Sequence, residues 1–237
     1  MFMPDESIET VTLDRLLEWR AALLEEYPST TVAGRIKNIK TVFTWAVDQD
    51  WLQKSPADKV PRGSFRNREF DRFITMEEYA KLLEACPNQE WRTIIALARI
   101  GGLRCPSELQ QLRWSDILED RFTVYSPKTE RHAGRDKRVV RLFDELRAEL
   151  ERHNQTSEFV VQGFQGKAWR LYSPFQEIAE RAGIGRIKCP FVNMRRSRAN
   201  EVVRQFGEAM ERMWIGHSWD VMEKHYLLQL DEDFSTC

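Results

Sequence analysis

One stretch of the chain decides the fold: Gly102–Leu109, which reads GLRCPSEL and is followed at residues 112–116 by LRWSD. The apolar spacing of residues 90–100 predicts a helix, and two consecutive glycines end it. A proline stands just before Ser107–Leu112, where we predict a second, short helix. Arg104 is therefore presented on a turn between two helices.

The remaining hydrophobic pattern is mainly helical. Further helices are predicted over residues 12–27, 29–46, 75–85, 145–153, 173–182, 195–206, 208–215 and 220–227. Thr75, with Glu78 three positions later, has the pattern of a capping box. Arg121–Tyr125 and Arg138–Leu142 carry β-branched residues on either side of a polar loop, which predicts a hairpin. The expected fold class is mainly α with a small antiparallel β-sheet.

Composition limits the class of protein. The 237 residues leave room for one large domain or two small ones, and 42% hydrophobic with 31% charged residues argues against both a disordered tail and a membrane protein. Acidic residues 5, 6 and 9 stand where a signal peptide would be basic and then apolar, so a cytoplasmic location is expected. The four cysteines are scattered and no metal-binding motif occurs, so we expect no metal and no cofactor.

Four more motifs follow the first stretch in chain order. They are Pro127-Lys128-Thr129 in the predicted hairpin, NMRRS at residues 193–197, WIGHS at residues 214–218, and Tyr226, nine residues after His217. In this order and spacing, the five elements resemble the tyrosine recombinase (phage integrase) family. The resemblance covers about residues 74–234, and residues 8–61 are similar to the latter part of the helical core-binding domain of that family.

The resemblance implies a fold, a partner and a reaction. It implies a DNA breaking-rejoining catalytic domain at residues 74–237, a basic linker at residues 62–73, and a partial SAM-like helical core-binding domain at residues 1–61. The implied protein is a bacterial or phage-derived site-specific recombinase that needs neither metal nor ATP. Its partner would be a double-stranded DNA recombination site, on which the protein assembles into a tetrameric synapse through an apolar C-terminal tail.

The resemblance also implies the catalytic residues. Tyr226 would be the nucleophile, Lys128 the general acid, and Arg104 and Arg195 the clamp on the non-bridging phosphate oxygens. Arginine suits that role because its planar guanidinium donates two parallel hydrogen bonds and keeps its charge. His217 would hydrogen-bond the phosphate or assist the proton that leaves the tyrosine.

A net charge of −1 conceals three basic zones, which we interpret as the DNA-facing parts of the chain. Residues 34–73 hold nine basic and five acidic side chains, residues 121–141 seven and two, and residues 181–198 six and none. The predicted DNA contacts are Arg35, Lys37, Lys40, Arg62, Arg66, Arg68, Arg131 and Arg196.

Two departures from the family pattern leave alternatives open. The family has a histidine three residues before the second arginine, where this chain has Val192. The family's core-binding domain also begins with more helices, so either the N-terminus is truncated or the DNA clamp is reduced. The first alternative is a catalytically weakened or inactive DNA-binding relative. The second, which fits the motifs less well, is an enzyme like the type IB topoisomerases.

Overall fold

The computed structural model describes residues 7–63, 70–126, 136–164 and 171–217. The chain divides into two compact units, Met1–Glu69 and Phe70–Cys237. Within the described ranges, no helix combines the length and apolar character that a membrane crossing requires.

The described part of the first unit contains two α-helices, α1 (Leu13–Glu26) and α2 (Ser29–Asp48). The Thr12 side chain caps α1 by accepting a hydrogen bond from the backbone N–H of Arg15 at 3.3 Å. Apolar residues of both helices and of the segment after α2 form one core: Leu16, Leu23, Val32, Ile36, Phe43, Ala57 and Val60. Each helix buries one apolar face in this core, whereas Leu17, Leu24 and Val42 are exposed.

The second unit contains six described helices and two strands. They are α3 (Met76–Glu84), α4 (Gln89–Arg99), β1 (Arg121–Tyr125), β2 (Lys137–Arg141), α5 (Asp144–Glu151), α6 (Tyr172–Arg181), α7 (Pro190–Phe206) and α8 (Glu208–Trp214). The predicted fold class, mainly α with a small antiparallel sheet, is confirmed in the described residues.

Helices α4 and α7 form the centre of the second unit. Nearly every residue of α4 from Trp91 onward is buried, as is the middle of α7. The fully buried guanidinium of Arg99 in α4 donates from Nη1 to Glu201 of α7 at 2.9 Å and from Nε to the Ile74 carbonyl at 2.8 Å. Because a buried charge needs a partner, this pair fixes the two central helices to each other.

The sheet packs its inner face on this core. In the antiparallel register Phe122 pairs with Val140 and Val124 pairs with Arg138, and the three apolar members of these pairs are buried. Helix α8 packs against β2. The sheet therefore carries Arg138 on its inward face, between the core and α8.

Two predicted elements differ from the structure. Ser107–Leu112 is a series of turns rather than a helix. Its backbone bonds have mixed spacing, since the N–H groups of both Glu108 and Leu109 donate to the Arg104 carbonyl. Helix α7 begins at Pro190, five residues before the predicted start, because proline fits the first turn of a helix. The helix predicted at residues 220–227 lies outside the described residues.

Candidate active site

A single buried carboxylate, that of Glu108, organises the turn that follows α4. Glu108 is 1% exposed. Its Oε1 accepts hydrogen bonds from Nη1 of Arg104 at 2.5 Å, from Oγ of Ser126 at 2.6 Å and from Nη1 of Arg138 at 2.7 Å. Its Oε2 accepts from Nη2 of Arg138 at 2.7 Å and lies 3.5 Å from Nη1 of Arg195. One carboxylate therefore holds three guanidinium groups together.

The three arginines keep that carboxylate ionised. Burial alone would raise the pKa of Glu108, but the hydrogen bonds from Arg138 and the charges of Arg138, Arg195 and Arg104 outweigh burial and hold the pKa well below its usual range. With Glu108 ionised, the cluster still has more positive than negative charge. This is the electrostatic character of an anion-binding site.

Arg195 lies in the second turn of α7 and is buried in contacts with two other segments. Its Nη1 donates to the carbonyl of Gly102, and its Nη2 donates to the carbonyl of Ile215 at 2.5 Å. The backbone of Gly102 has a φ of +64°, and a Cβ there would lie 2.5 Å from Cδ1 of Ile215. The positive φ favours glycine at this position, and a Cβ there would also displace the terminal methyl group of Ile215.

His217 follows α8 and completes the cluster. Its Nε2 lies 3.4 Å from both Nε and Nη2 of Arg195, and its Nδ1 lies 2.7 Å from Oε1 of Glu211. Arg138 supports the same segment by donating from Nε to the Trp214 carbonyl at 2.8 Å. Burial, with the charge of Arg195 next in importance, lowers the pKa of His217, so its imidazole is neutral at neutral pH.

Two arginines near Arg195 are buried and make their contacts within the protein. Nη1 of Arg196, which is 8% exposed, donates to Oδ1 of Asp71 at 2.7 Å. The guanidinium of Arg198 lies 3.9 Å from the Phe143 ring centroid, and its Nη1 donates to Glu201 at 3.2 Å. Arg196, which the sequence predicted as a DNA contact, is thus buried against Asp71 within the second unit.

The structure brings three of the five predicted catalytic residues together: Arg104, Arg195 and His217. The other two, Lys128 and Tyr226, lie outside the described residues, as do the predicted DNA contacts Arg66, Arg68 and Arg131. Among the described residues, no group of three or more His, Cys, Asp or Glu side chains could hold a metal ion.

The remaining predicted DNA contacts lie in the first unit. Lys37 and Arg62 are exposed. The Arg35 guanidinium lies 3.8 Å from the Tyr27 ring centroid, and Nζ of Lys40 donates to the carbonyl of Asp58 at 3.0 Å. Both of these side chains therefore also contribute to the packing of the first unit.

Sequence reasoning assigned no role to Glu108, Ser126, Arg138 or Glu211. The sequence pattern could have indicated that Arg138 faces inward. It lies two residues before Val140 and therefore on the same face of the strand, where apolar side chains are usual. Glu108 was part of the GLRCPSEL motif. Glu211 had no signal, since its partner His217 contacts it only after the chain turns at the end of α8.

The chain was compared with known proteins. No protein-family model matches it. It is 26% identical over 180 residues to a protein of Escherichia coli (strain K12) described as "Putative defective protein IntQ", a match that covers 64% of this chain and 44% of that protein. The chain thus spans less than half the length of this relative.

The solved structures to which this chain is similar include integrases and a recombinase. A lambda integrase dimer bound to a COC′ core site gives a TM-score of 0.73 at 17% identity, over 96% of this chain and 85% of the other. A Tn1549 transposon integrase in complex with transposon right end DNA gives 0.73 at 16% identity, over 97% and 85%. XerA recombinase gives 0.56 at 18% identity, over 98% and 84%. The resemblance found in the sequence is confirmed at the level of the fold.

Proposed function

We propose that this chain is a tyrosine recombinase, which cleaves and rejoins DNA through a 3′-phosphotyrosine intermediate. The observation that carries the proposal is the cluster of Arg104, Arg195 and His217 around Glu108, in a chain with the fold of lambda integrase. A cationic cluster next to a neutral imidazole suits the transfer of a phosphoryl group, whose transition state carries negative charge on its oxygens.

Arg104 is the arginine best placed to reach a phosphate. Its side chain is 23% exposed, whereas that of Arg195 is only 4% exposed. Nη1 of Arg104 is held by Glu108, and Nη1 of Arg195 by the Gly102 carbonyl. Fixed donors need no reorganisation when charge develops on the phosphate. We therefore assign Arg104 to direct contact with a non-bridging oxygen, with Arg195 behind it.

The remaining steps are those that the resemblance to the tyrosine recombinases implies. Tyr226 Oη attacks phosphorus, the new P–O bond joins the 3′ end of the strand to the tyrosine, and the bond from phosphorus to the 5′ oxygen breaks. Lys128 gives a proton to the departing 5′ oxygen, while His217 assists the proton that leaves Tyr226. Attack by a 5′-hydroxyl of another strand reverses the reaction, so religation needs no external energy source.

Double-stranded DNA is the proposed partner. The lambda integrase neighbours are a dimer bound to a core site and a tetramer bound to a Holliday junction, and we propose an analogous assembly for this chain. Lys37 and Arg62, which are exposed, and the exposed basic residues described in zones 121–141 and 181–198, such as Lys137 and Arg186, supply charge for the phosphate backbone.

A nicked DNA substrate that traps the covalent intermediate tests the proposal. Given its cognate site, the wild-type chain is expected to form an adduct that survives denaturing electrophoresis. Tyr226→Phe should form none while binding DNA normally in a mobility-shift assay. Tyr172→Phe, which changes an exposed tyrosine at the start of α6, should behave as wild type. Wild-type protein that binds the site without forming an adduct would instead support a DNA-binding protein without catalysis.

That second candidate function is favoured by Val192. It lies in the first turn of α7, three residues before Arg195, and is 47% exposed, so its side chain is accessible from outside the core. Residues three apart share a helix face, so a side chain at this position can reach the same anion as Arg195. Valine offers no hydrogen bond there, which supports weakened or absent cleavage.

Restoring a donor at position 192 should therefore raise activity. We expect Val192→His to increase the rate of adduct formation roughly 10- to 100-fold, as one added hydrogen bond to the transition state would. Single-turnover cleavage measures the rate. Val139→His is a matched control, because Val139 of β2 is exposed to a similar extent, 46%. An equal response in the two variants would contradict a specific role for position 192.

A further inference from the structure

Glu211, which lies outside the sequence motifs, forms a buried pair with His217 of the WIGHS motif. Glu211 lies in the middle of α8 and is 3% exposed, and its Oε1 lies 2.7 Å from Nδ1 of His217. The backbone carbonyl of Glu211 accepts hydrogen bonds from the N–H groups of Ile215 at 2.8 Å and Gly216 at 3.1 Å. Glu211 therefore holds the segment that leads into His217 by its backbone and the imidazole by its side chain.

The contacts of the other ring nitrogen of His217, Nε2, determine which of the two nitrogens carries the proton of the neutral ring. Nε2 of His217 is 3.4 Å from two nitrogens of Arg195, both of which are permanent donors. Nε2 must therefore be the lone-pair side of the neutral ring. The ring proton is then on Nδ1, where Glu211 accepts it.

We propose that Glu211 is a positioning residue that fixes His217 as the Nδ1–H tautomer and turns the Nε2 lone pair toward the anion site beside Arg195. This inference rests on the proposed function. In that reaction the lone pair is the group that can accept the proton of the attacking tyrosine hydroxyl. A carboxylate behind a histidine performs the same orienting task in hydrolytic triads.

The charges around the pair explain why the histidine needs this support. Besides Glu211, 2.7 Å from Nδ1, the charged groups that act on His217 include the cations Arg195, Arg104 and Arg138, which disfavour the imidazolium, and the anion Glu108, which favours it. Those that act on Glu211 are Arg195, Arg212 and Arg138. A bound phosphate would offset the arginine charges. An ionised Glu211 would then make Nε2 more basic.

The state of Glu211 itself changes near neutral pH. Burial raises its pKa to about 7, against the opposing influence of the arginines. The carboxylate that best supports the Nδ1–H bond is thus present mainly above pH 7. If the dyad acts in cleavage, the rate should rise with pH through this range.

Nitrogen NMR of the histidine side chains in the full chain without DNA tests the tautomer directly. We expect wild-type His217 to show a protonated Nδ1 and an unprotonated Nε2, and Glu211→Ala to lose this preference. Glu208→Ala, an exposed glutamate in the first turn of the same helix, should leave the spectrum unchanged. A protonated Nε2 in the neutral wild-type ring, or an unchanged tautomer in folded Glu211→Ala, would overturn the proposal.

The pH profile of cleavage tests the consequence. Glu211→Gln keeps the shape of the side chain, and we expect it to cleave at least about tenfold more slowly at pH 8 and to lose the rise near pH 7. Glu211→Asp should restore part of both. An unaltered profile in Glu211→Gln would refute the role in cleavage. If wild-type protein forms no adduct, the proposed function fails, while the tautomer measurement still decides the assignment of Glu211.

Discussion

Glu108→Gln is expected to lower the free energy of unfolding by about 3–5 kcal/mol, the cost of removing one partner from a buried ion pair. The carboxylate accepts from Arg104 and Arg138 at 2.5–2.7 Å and lies near Arg195. The neutral amide would leave these guanidinium groups with no negative charge among them, and its NH₂ group would face donors. Urea denaturation at neutral pH measures the loss.

The same substitution should slow cleavage by roughly 100-fold in protein that remains folded, because Arg104 loses the group that positions it. Glu149→Gln is the matched control. Glu149 is a second buried carboxylate, which accepts from Arg92 at 2.7 and 2.8 Å and from Gln89 at 2.9 Å. We expect Glu149→Gln to lose stability as well, though less of it because its partner Arg92 is 27% exposed, and to keep its cleavage rate. Equal slowing in both variants would mean that Glu108 acts only through stability.

The stability difference between wild type and Glu108→Gln should depend on pH. The pKa of Glu108 is lower in the folded chain than in the unfolded chain, so its contribution is fully present above the unfolded carboxyl value of about 4.3. It is lost as pH falls toward the folded pKa. The gap in unfolding free energy between the two proteins should therefore narrow in acid. A constant gap from pH 7 to pH 3 would contradict the ionised state assigned to Glu108.

The elements that were predicted correctly depend on local chemistry. The capping box at Thr75 forms as expected: Thr75 Oγ1 accepts from the Glu78 N–H at 3.1 Å, and the Glu78 carboxylate accepts from the Thr75 N–H at 3.1 Å. The two strands pair within one residue of their predicted bounds. Such features follow from residues within four positions of each other or from alternation along a strand, and a single sequence shows both.

The features that escaped prediction depend on contacts between distant segments. The expected helix at Ser107–Leu112 gives way to turns, in which the Glu108 side chain accepts from the Arg104 N–H at 2.8 Å. Arg138 reaches the same carboxylate from β2, 30 positions further along the chain. Periodicity describes which face of an element is buried, but it carries no information on which polar side chains meet there. The sequence motifs identified Arg104 and Arg195, but only the folded structure shows that both lie against the Glu108 carboxylate.

Arg104 and Arg195 should respond differently to substitution although both are arginines of the same cluster. Arg195 donates to two backbone carbonyls and contacts His217, so its loss removes packing as well as charge. Arg104 is anchored at one end by Glu108 and Ser126, at 2.5 and 3.4 Å, and its side chain is partly exposed. A substitution of Arg104 is therefore the cleaner probe of catalysis.

Arg104→Ala is expected to lower the rate of adduct formation by roughly 10²–10³-fold, the usual cost of removing one fixed donor to a transition-state oxygen. DNA affinity should change only a few-fold, because most of the backbone contacts that we propose lie in the basic zones. Arg104→Lys should restore little, since an ammonium group cannot bind Glu108 and a phosphate oxygen with a single planar fork. Single-turnover cleavage at saturating protein separates the two effects.

Arg186→Ala is the control that shows the effect of losing one positive charge without losing a fixed guanidinium group. Arg186 lies in basic zone 181–198, its side chain is 72% exposed, and its contact with Glu180 is 3.6 Å long. Both variants remove one positive charge from the second unit, but only Arg104 is held by a buried carboxylate that fixes its direction. If Arg186→Ala and Arg104→Ala weakened DNA binding equally and neither slowed cleavage of bound DNA, the Glu108 cluster would be an electrostatic patch. A loss of cleavage confined to Arg104→Ala would instead show that a fixed guanidinium acts on the reacting phosphate.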